Sequence, residues 1–227
     1  MLDNKLINFI KDKTNLVLER NIGNVSLFSR IITIIIIISV LLIFISIFTD
    51  FLKYNQKDNT VHKKKSIVST FSMTLFFILY YFIIRLRIGA IYIKNIYFNY
   101  FLIILGVFFI ILGTFINIKS RFTLKNNWSD HIKIYSDQSL ITNGIFGYVR
   151  HPLYSSLFMM FYGGGLVYNN YLGIILTTFI FIPMMNYRAK QEEFYLEKTF
   201  NEYSHYKKYV GRFFPKSFTK YQGGKNV

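Results

Sequence analysis

The sequence predicts an all-α integral membrane protein of about five transmembrane helices, the last two a tight hairpin, with a cytosolic C-terminal helical cap. Three observations predict it. Five stretches are long, apolar and free of charge. The 27 Lys and Arg residues, set against 11 Asp and Glu, lie in the segments before, between and after those stretches. Only Asn169 and Asn170 separate the last two stretches, which is room for a turn and nothing more.

Composition alone narrows the class. The 227 residues are 52% hydrophobic and only 17% charged, yet carry a formal net charge of +16. A chain so rich in apolar residues is not disordered. It has no Cys, which excludes a disulfide scaffold and a thiolate zinc site, and four scattered His residues make no metal cluster. A basic, apolar chain is either a nucleic-acid binder or a membrane protein with basic ends. The cations are spread over loops and tail rather than gathered in one patch, so no nucleic-acid partner is expected.

Residues 1–30 form an N-terminal amphipathic segment, with Leu2, Leu6, Phe9, Ile10 and Val17 on one face of a short helix that could lie on the bilayer. No cleavable signal peptide is expected, because the first apolar run starts late and is too long for a signal core. Three transmembrane helices fall within 31–118: Ile31–Phe48, Ile67–Ile84 and Ile96–Ile118. An 18-residue helix rises about 27 Å, close to the ~30 Å hydrocarbon core. Leu153–Tyr168 and Tyr171–Tyr187 form the hairpin, and Gly163, Gly164 and Gly165 suit close helix packing near its turn.

Charge sets the orientation. With the tail inside, the Asp50–Ser66 loop and the Lys119–His151 segment carry five cations each and the tail from Arg188 nine, 19 of the 27. The positive-inside rule then puts the C-terminus in the cytoplasm. The basic N-terminal segment is discordant. Lys63-Lys64-Lys65 reads as an anchor to anionic headgroups, and Arg85 and Arg87 as snorkelling residues. His62, His131 and His205 read as solvated or interfacial.

Two polar clusters converge on the cytoplasmic face. Pro152 opens the first hairpin helix, where its missing amide costs nothing. Arg150 and His151 therefore sit at a helix N-terminus, a seat for an anionic group. Within the Lys119–His151 segment, His131 to Tyr135 alternates and suits a short extended piece. The last hairpin helix continues through Arg188, Glu192 and Glu193, and the hairpin returns these to the level of Arg150. Arg188 and Glu192, four apart, share a helix face and could be no more than a surface ion pair. Leu196, Phe200, Tyr203, Tyr206 and Val210 mark an amphipathic stripe that packs the cap.

The run Leu140-Ile-Thr-Asn-Gly-Ile-Phe146, then Arg150-His-Pro-Leu-Tyr154, Glu192-Glu193, Phe200-Asn-Glu-Tyr-Ser-His-Tyr206 and Val210-Gly-Arg-Phe-Phe-Pro215 resembles the isoprenylcysteine carboxyl methyltransferases and the related phospholipid methyltransferases. The resemblance runs from about Trp128 to Pro215; the first three spans match only in being membrane helices. It implies a catalytic region over 119–227 that holds a cofactor motif, the hairpin and the cap. The cofactor would be S-adenosyl-L-methionine, bound from the cytosolic side. By position, the resemblance assigns cofactor contacts to Gln138, Ser139, Leu140, Ile141, Phe146, His151, Pro152, Leu153, Tyr154 and Glu192. It assigns the substrate carboxylate to Arg188. Arg188 and His151 are the catalytic candidates. Ser156 stands where the family commonly has Gly, and Ile145 where Pro is frequent.

The implied activity is carboxyl O-methylation of a prenylcysteine-like or other lipophilic substrate. N-methylation of a phospholipid amine and S-methylation of a thiol are the alternatives; for these a base is needed, and His151 or Glu193 would supply it. An NADPH-dependent sterol-type reductase fits less well, because the Glu192-Glu193 pair suits a methyltransferase better than a 2′-phosphate. A transporter fits least, for want of charges within the spans or a repeat.

Overall fold

The computed structural model describes residues 27–50, 52, 60–64, 67–124, 132–135 and 139–221. The proposed amphipathic segment lies outside them except for 27–30, which begin the first helix. The chain divides into two compact units, Met1–Ile38 and Ser39–Val227.

The described residues are mostly helical. Helix α1 spans Leu27–Asp50, α2 Ile67–Arg85, α3 Ile96–Leu124 and α4 Pro152–Val167. The next rod, Tyr171–Thr199, is continuous but built in three pieces: α5 (Tyr171–Leu176), a π-helical turn (Thr177–Phe181) and α6 (Ile182–Thr199). Pro183 explains the break in register. It has no amide to donate to the preceding turn, and the wider π turn absorbs the defect. Helix α7 is Tyr203–Tyr209. Among the described residues, Leu27–Asp50, Ile96–Leu124 and Tyr171–Thr199 are long and apolar enough to cross a bilayer. Phe44, Phe71 and Phe108 are each more than half exposed, an apolar exterior that suits lipid.

One feature departs from the all-α expectation. Strand β1 (Thr60–Lys64) pairs antiparallel with β2 (Ile132–Tyr135), Thr60 opposite Tyr135 and Lys64 opposite Ile132. The extended piece expected near residues 131–135 is thus half of a ribbon. Neither strand has a partner in its own segment, and each supplies the other's backbone hydrogen bonds.

Connections of the second unit gather at two ends. At one end Tyr171 N donates to Gly89 O at 3.1 Å, Ile91 N to Asn169 O at 2.9 Å, and Asn169 Nδ2 to Asn99 Oδ1 at 2.6 Å. At the other, Arg121 Nη1 bonds Asp50 Oδ2 at 2.8 Å and the ribbon joins its two segments. Both segments assigned inside by charge therefore meet at the same end.

Helices α3 and α4 form the most extensive helix pair. Their backbones touch: a Cβ on Gly163 would lie 2.6 Å from Gly106 O. The neighbouring glycines serve two other helices. A Cβ on Gly164 would meet the Tyr80 hydroxyl of α2 at 2.8 Å, and one on Gly165 would meet Ile174 of α5 at 2.7 Å. The glycine triplet thus gives three helices close access to α4, as its packing role requires. A polar seam continues the same interface. Asn117 Nδ2 donates to Ser156 Oγ at 2.7 Å, and Arg121 Nε to Asn117 Oδ1 at 2.9 Å. The Ser156 hydroxyl ties α4 to α3, a bond that glycine at this position could not make. Beside this seam, Phe76, Tyr80, Phe158, Phe181 and Met185 close the core of α2, α4 and the last rod.

Candidate functional site

The site lies where α4 begins and α6 passes it. His151 is the N-cap residue of α4, with Pro152 in the first turn. Its ring stacks on Tyr154, with centroids 5.5 Å apart and planes 8° from parallel. Arg188 and Glu192 lie about three and four turns past the start of the π turn, and α6 carries both to this level. The Tyr154 hydroxyl donates to Glu192 Oε1. Arg188 Nε lies 3.3 Å from the same oxygen, and His151 Nδ1 lies 3.4 Å from Glu192 Oε2. The side chain of Glu192 keeps 24% of its surface exposed, against 13% for Arg188 and 8% for His151. This is a partly open carboxylate ringed by a phenol, an imidazole and a guanidinium, not a solvated surface pair.

Adjacent residues on a helix point about 100° apart, and Glu193 serves a different network. It is 2% exposed. Its Oε1 accepts from Arg150 Nη2 at 2.7 Å and Arg212 Nε at 3.0 Å, and its Oε2 from Arg212 Nη2 at 2.6 Å. Arg150 Nη1 also reaches the carbonyls of Lys207 and Val210. The chain after α7 closes on this knot: Arg150 N donates to Gly211 O and His151 N to Arg212 O. The expected anion seat at the start of α4 is thereby filled by the protein itself. The physical reason is Glu193, a buried carboxylate that needs cationic partners, together with the tail backbone that takes the free amides.

The structure brings His151, Tyr154, Arg188 and Glu192 together, with Pro152 and Leu153 on the same turn. Leu140 packs instead against the cap cluster of Tyr203, Tyr206 and Val210. Phe146 is buried, and its carbonyl accepts the Tyr206 hydroxyl at 2.5 Å. Ser139 is exposed and Ile141 half-buried; Gln138 lies outside the described residues. Sequence reasoning did not single out Phe213, whose ring approaches His151 (6.1 Å), Tyr154 (6.4 Å) and Phe158 (5.1 Å). Nor did it single out Met73, whose sulfur lies 3.2 Å from Arg188 Nη1. Phe213 was visible only as one of two adjacent phenylalanines. Met73 carried no signal at all.

Both ring nitrogens of His151 face carboxylates, Nδ1 toward Glu192 and Nε2 toward Glu193 at 3.2 Å. Burial lowers the imidazole pKa, but hydrogen bonds and charge from Glu192 and Glu193 outweigh it, and the net direction is upward from the usual 6.5. A raised folded pKa contributes stability that is full below the unfolded value near 6.5. That stability is lost as pH rises through the folded value. The melting-temperature gap between the protein and His151→Gln should therefore be widest below pH 6.5 and shrink as pH climbs above it. A gap that widens with pH would contradict the charged imidazole.

Apolar helices long enough to cross a membrane thus carry a buried ionic cluster toward one end. Residues 101–203 match the phospholipid methyltransferase family. A stretch of 75 residues, 33% of this chain, is 33% identical to the Protein-S-isoprenylcysteine O-methyltransferase of Schizosaccharomyces pombe. That stretch spans about a third of the relative's length, 32%. Both findings show similarity to the phospholipid and isoprenylcysteine methyltransferases over part of the chain. The family match also begins earlier than the motifs suggest, at Phe101 within α3. It thereby takes in most of α3, which packs closely on α4.

Proposed function

We propose that the protein is an integral-membrane methyltransferase that uses S-adenosylmethionine, and that it O-methylates the carboxylate of a lipophilic, prenylcysteine-like acceptor. The observation that carries this reading is the Glu192 cluster: a part-exposed carboxylate held by Tyr154, His151 and Arg188 beside apolar helices. Its donor set fits the cofactor. An acidic group that keeps open surface suits the ammonium or ribose hydroxyls of S-adenosylmethionine, and the Tyr154 and Phe213 rings suit its apolar parts. When bound, the cofactor supplies a methyl already activated by its positive sulfur. The remaining contribution of the protein is placement and exclusion of water.

Arg188 orients the acceptor, since a guanidinium grips a carboxylate in two places. A carboxylate is ionised at pH 7 and needs no general base. This matters for the choice of acceptor. Glu193 is committed to two guanidinium groups, and His151 sits between two carboxylates that raise its pKa and favour the charged form. Neither is poised to take a proton from an amine or a thiol, which favours O-methylation over the N- and S-alternatives. Arg150 and Arg212 are engaged by Glu193, and Lys207 Nζ by Glu197 at 2.7 Å. A nucleotide 2′-phosphate would have to compete for them, which weighs against a reductase.

In the bilayer, five spans are proposed, with α4 and the last rod as a hairpin and the site and C-terminus on the cytoplasmic side. Positive charge and the meeting of β1 with β2 at the site's end support that orientation. The experiment is transfer of labelled methyl from S-adenosylmethionine to a panel of prenylcysteine, lipid-amine and thiol acceptors. Labelling of the first alone is expected, and labelling of only an amine or thiol would overturn the assignment. Arg188→Ala should raise the acceptor KM roughly 10-fold or more, the loss of a charged hydrogen-bond pair, with cofactor binding largely kept. An unchanged KM would remove Arg188 from this role.

A further inference from the structure

The segment 203–221 has two faces, and only the inner one belongs to the site. Tyr203, Tyr206 and Val210 are buried. Arg212 is tied to Glu193 and Phe213 lies against His151 and Tyr154. The outer face is different in kind. Phe214 is 67% exposed, Phe218 95% and Tyr209 59%. Lys208, Lys216 and Lys220 are exposed between them. The segment holds five Lys and Arg residues and no Asp or Glu. Lys216 Nζ reaches the carbonyls of Lys207 and Lys208 at 3.2 and 3.0 Å, which folds the chain after Pro215 back toward the end of α7.

Large aromatic side chains left in water beside exposed lysines are costly for a soluble surface and favourable at a lipid interface. The charge adds a sign: each lysine is attracted to an anionic leaflet and gains very little near a neutral one. We infer that the outer face of this C-terminal segment docks on the bilayer, with Phe214 and Phe218 entering the headgroup region and Lys208, Lys216 and Lys220 meeting anionic phospholipid. The docked layer and the wall of the site are then the same few residues, because Phe213 faces inward and Phe214 outward. Lipid charge thus bears directly on how firmly the cap is held. The inference rests on the membrane character of the fold and not on the reaction.

Trp128 is the single tryptophan, so a Trp128→Phe background leaves a dark protein in which Phe218→Trp reports its own depth. The full chain is reconstituted in vesicles containing phospholipid brominated on the acyl chains, with or without phosphatidylglycerol. Quenching of the new tryptophan should be roughly twofold stronger or more in the anionic vesicles. That excess should vanish when Lys208, Lys216 and Lys220 are all changed to Gln. No quenching in either lipid overturns docking. Equal quenching in both, unaffected by the lysine changes, overturns the anionic assignment. No cofactor or turnover enters the measurement, so its failure is separate from failure of the methyltransferase reading.

Discussion

Glu193→Ala should loosen the C-terminal cap and destabilise the protein by about 3–5 kcal/mol, the usual cost of removing one partner from a buried ion pair. The change strands Arg150, 5% exposed at its side chain, and frees Arg212 from its two bonds. It also removes the partner of His151 Nε2. The backbone pairing of 149–151 with 211–212 lies beside that knot and should weaken with it. A lowered melting temperature and faster proteolysis after Lys207 and Arg212 are expected. Glu193→Gln keeps the volume and some hydrogen bonds, and should fall between. A Glu193→Ala protein with unchanged melting temperature and cleavage would show that the cap is held by its aromatic packing instead.

The neighbouring substitution should separate cleanly from this one. Glu192→Ala removes a part-exposed carboxylate, so the protein should fold with near-normal stability. Its affinity for S-adenosylhomocysteine should drop roughly 10- to 100-fold, because a hydrogen bond to a charged group is worth about 1.5–3 kcal/mol. Tyr154→Ala should act in the same direction, since its hydroxyl holds Glu192 and its ring stacks on His151. On this proposal two adjacent glutamates carry two roles, one in the site and one in the scaffold. A Glu192→Ala protein that binds the ligand normally would place the cofactor elsewhere.

Much of this was legible in the sequence because hydrophobic length and charge position are one-dimensional signals. Helices α1 and α2 fall where charge-free runs place them, and the rod to Thr199 continues through Arg188 and Glu192 as expected. What was not legible was three-dimensional pairing. The π turn follows from Pro183 only once the helix is known to continue past it. The ribbon joins Thr60–Lys64 to Ile132–Tyr135, partners some 70 residues apart, and no local pattern records that pairing. Arg150 read as an open cation at a helix start, because its partner is decided by which face of α6 Glu193 occupies. Leu140 packs against the cap cluster and the Phe146 carbonyl accepts the Tyr206 hydroxyl, contacts that the motif alone does not record. The Ser156 hydroxyl, a departure from that pattern, acquires a reason only from Asn117 across the α3–α4 interface.

The central claim is that the Glu192 cluster receives S-adenosylmethionine. Calorimetric titration of the purified protein with S-adenosylhomocysteine and, separately, with NADPH tests it most directly. Saturable binding of the first, weakened by Tyr154→Ala and by Glu192→Ala, with none of the second, is the predicted result. Binding of NADPH alone, or binding of S-adenosylhomocysteine that ignores both substitutions, would contradict it.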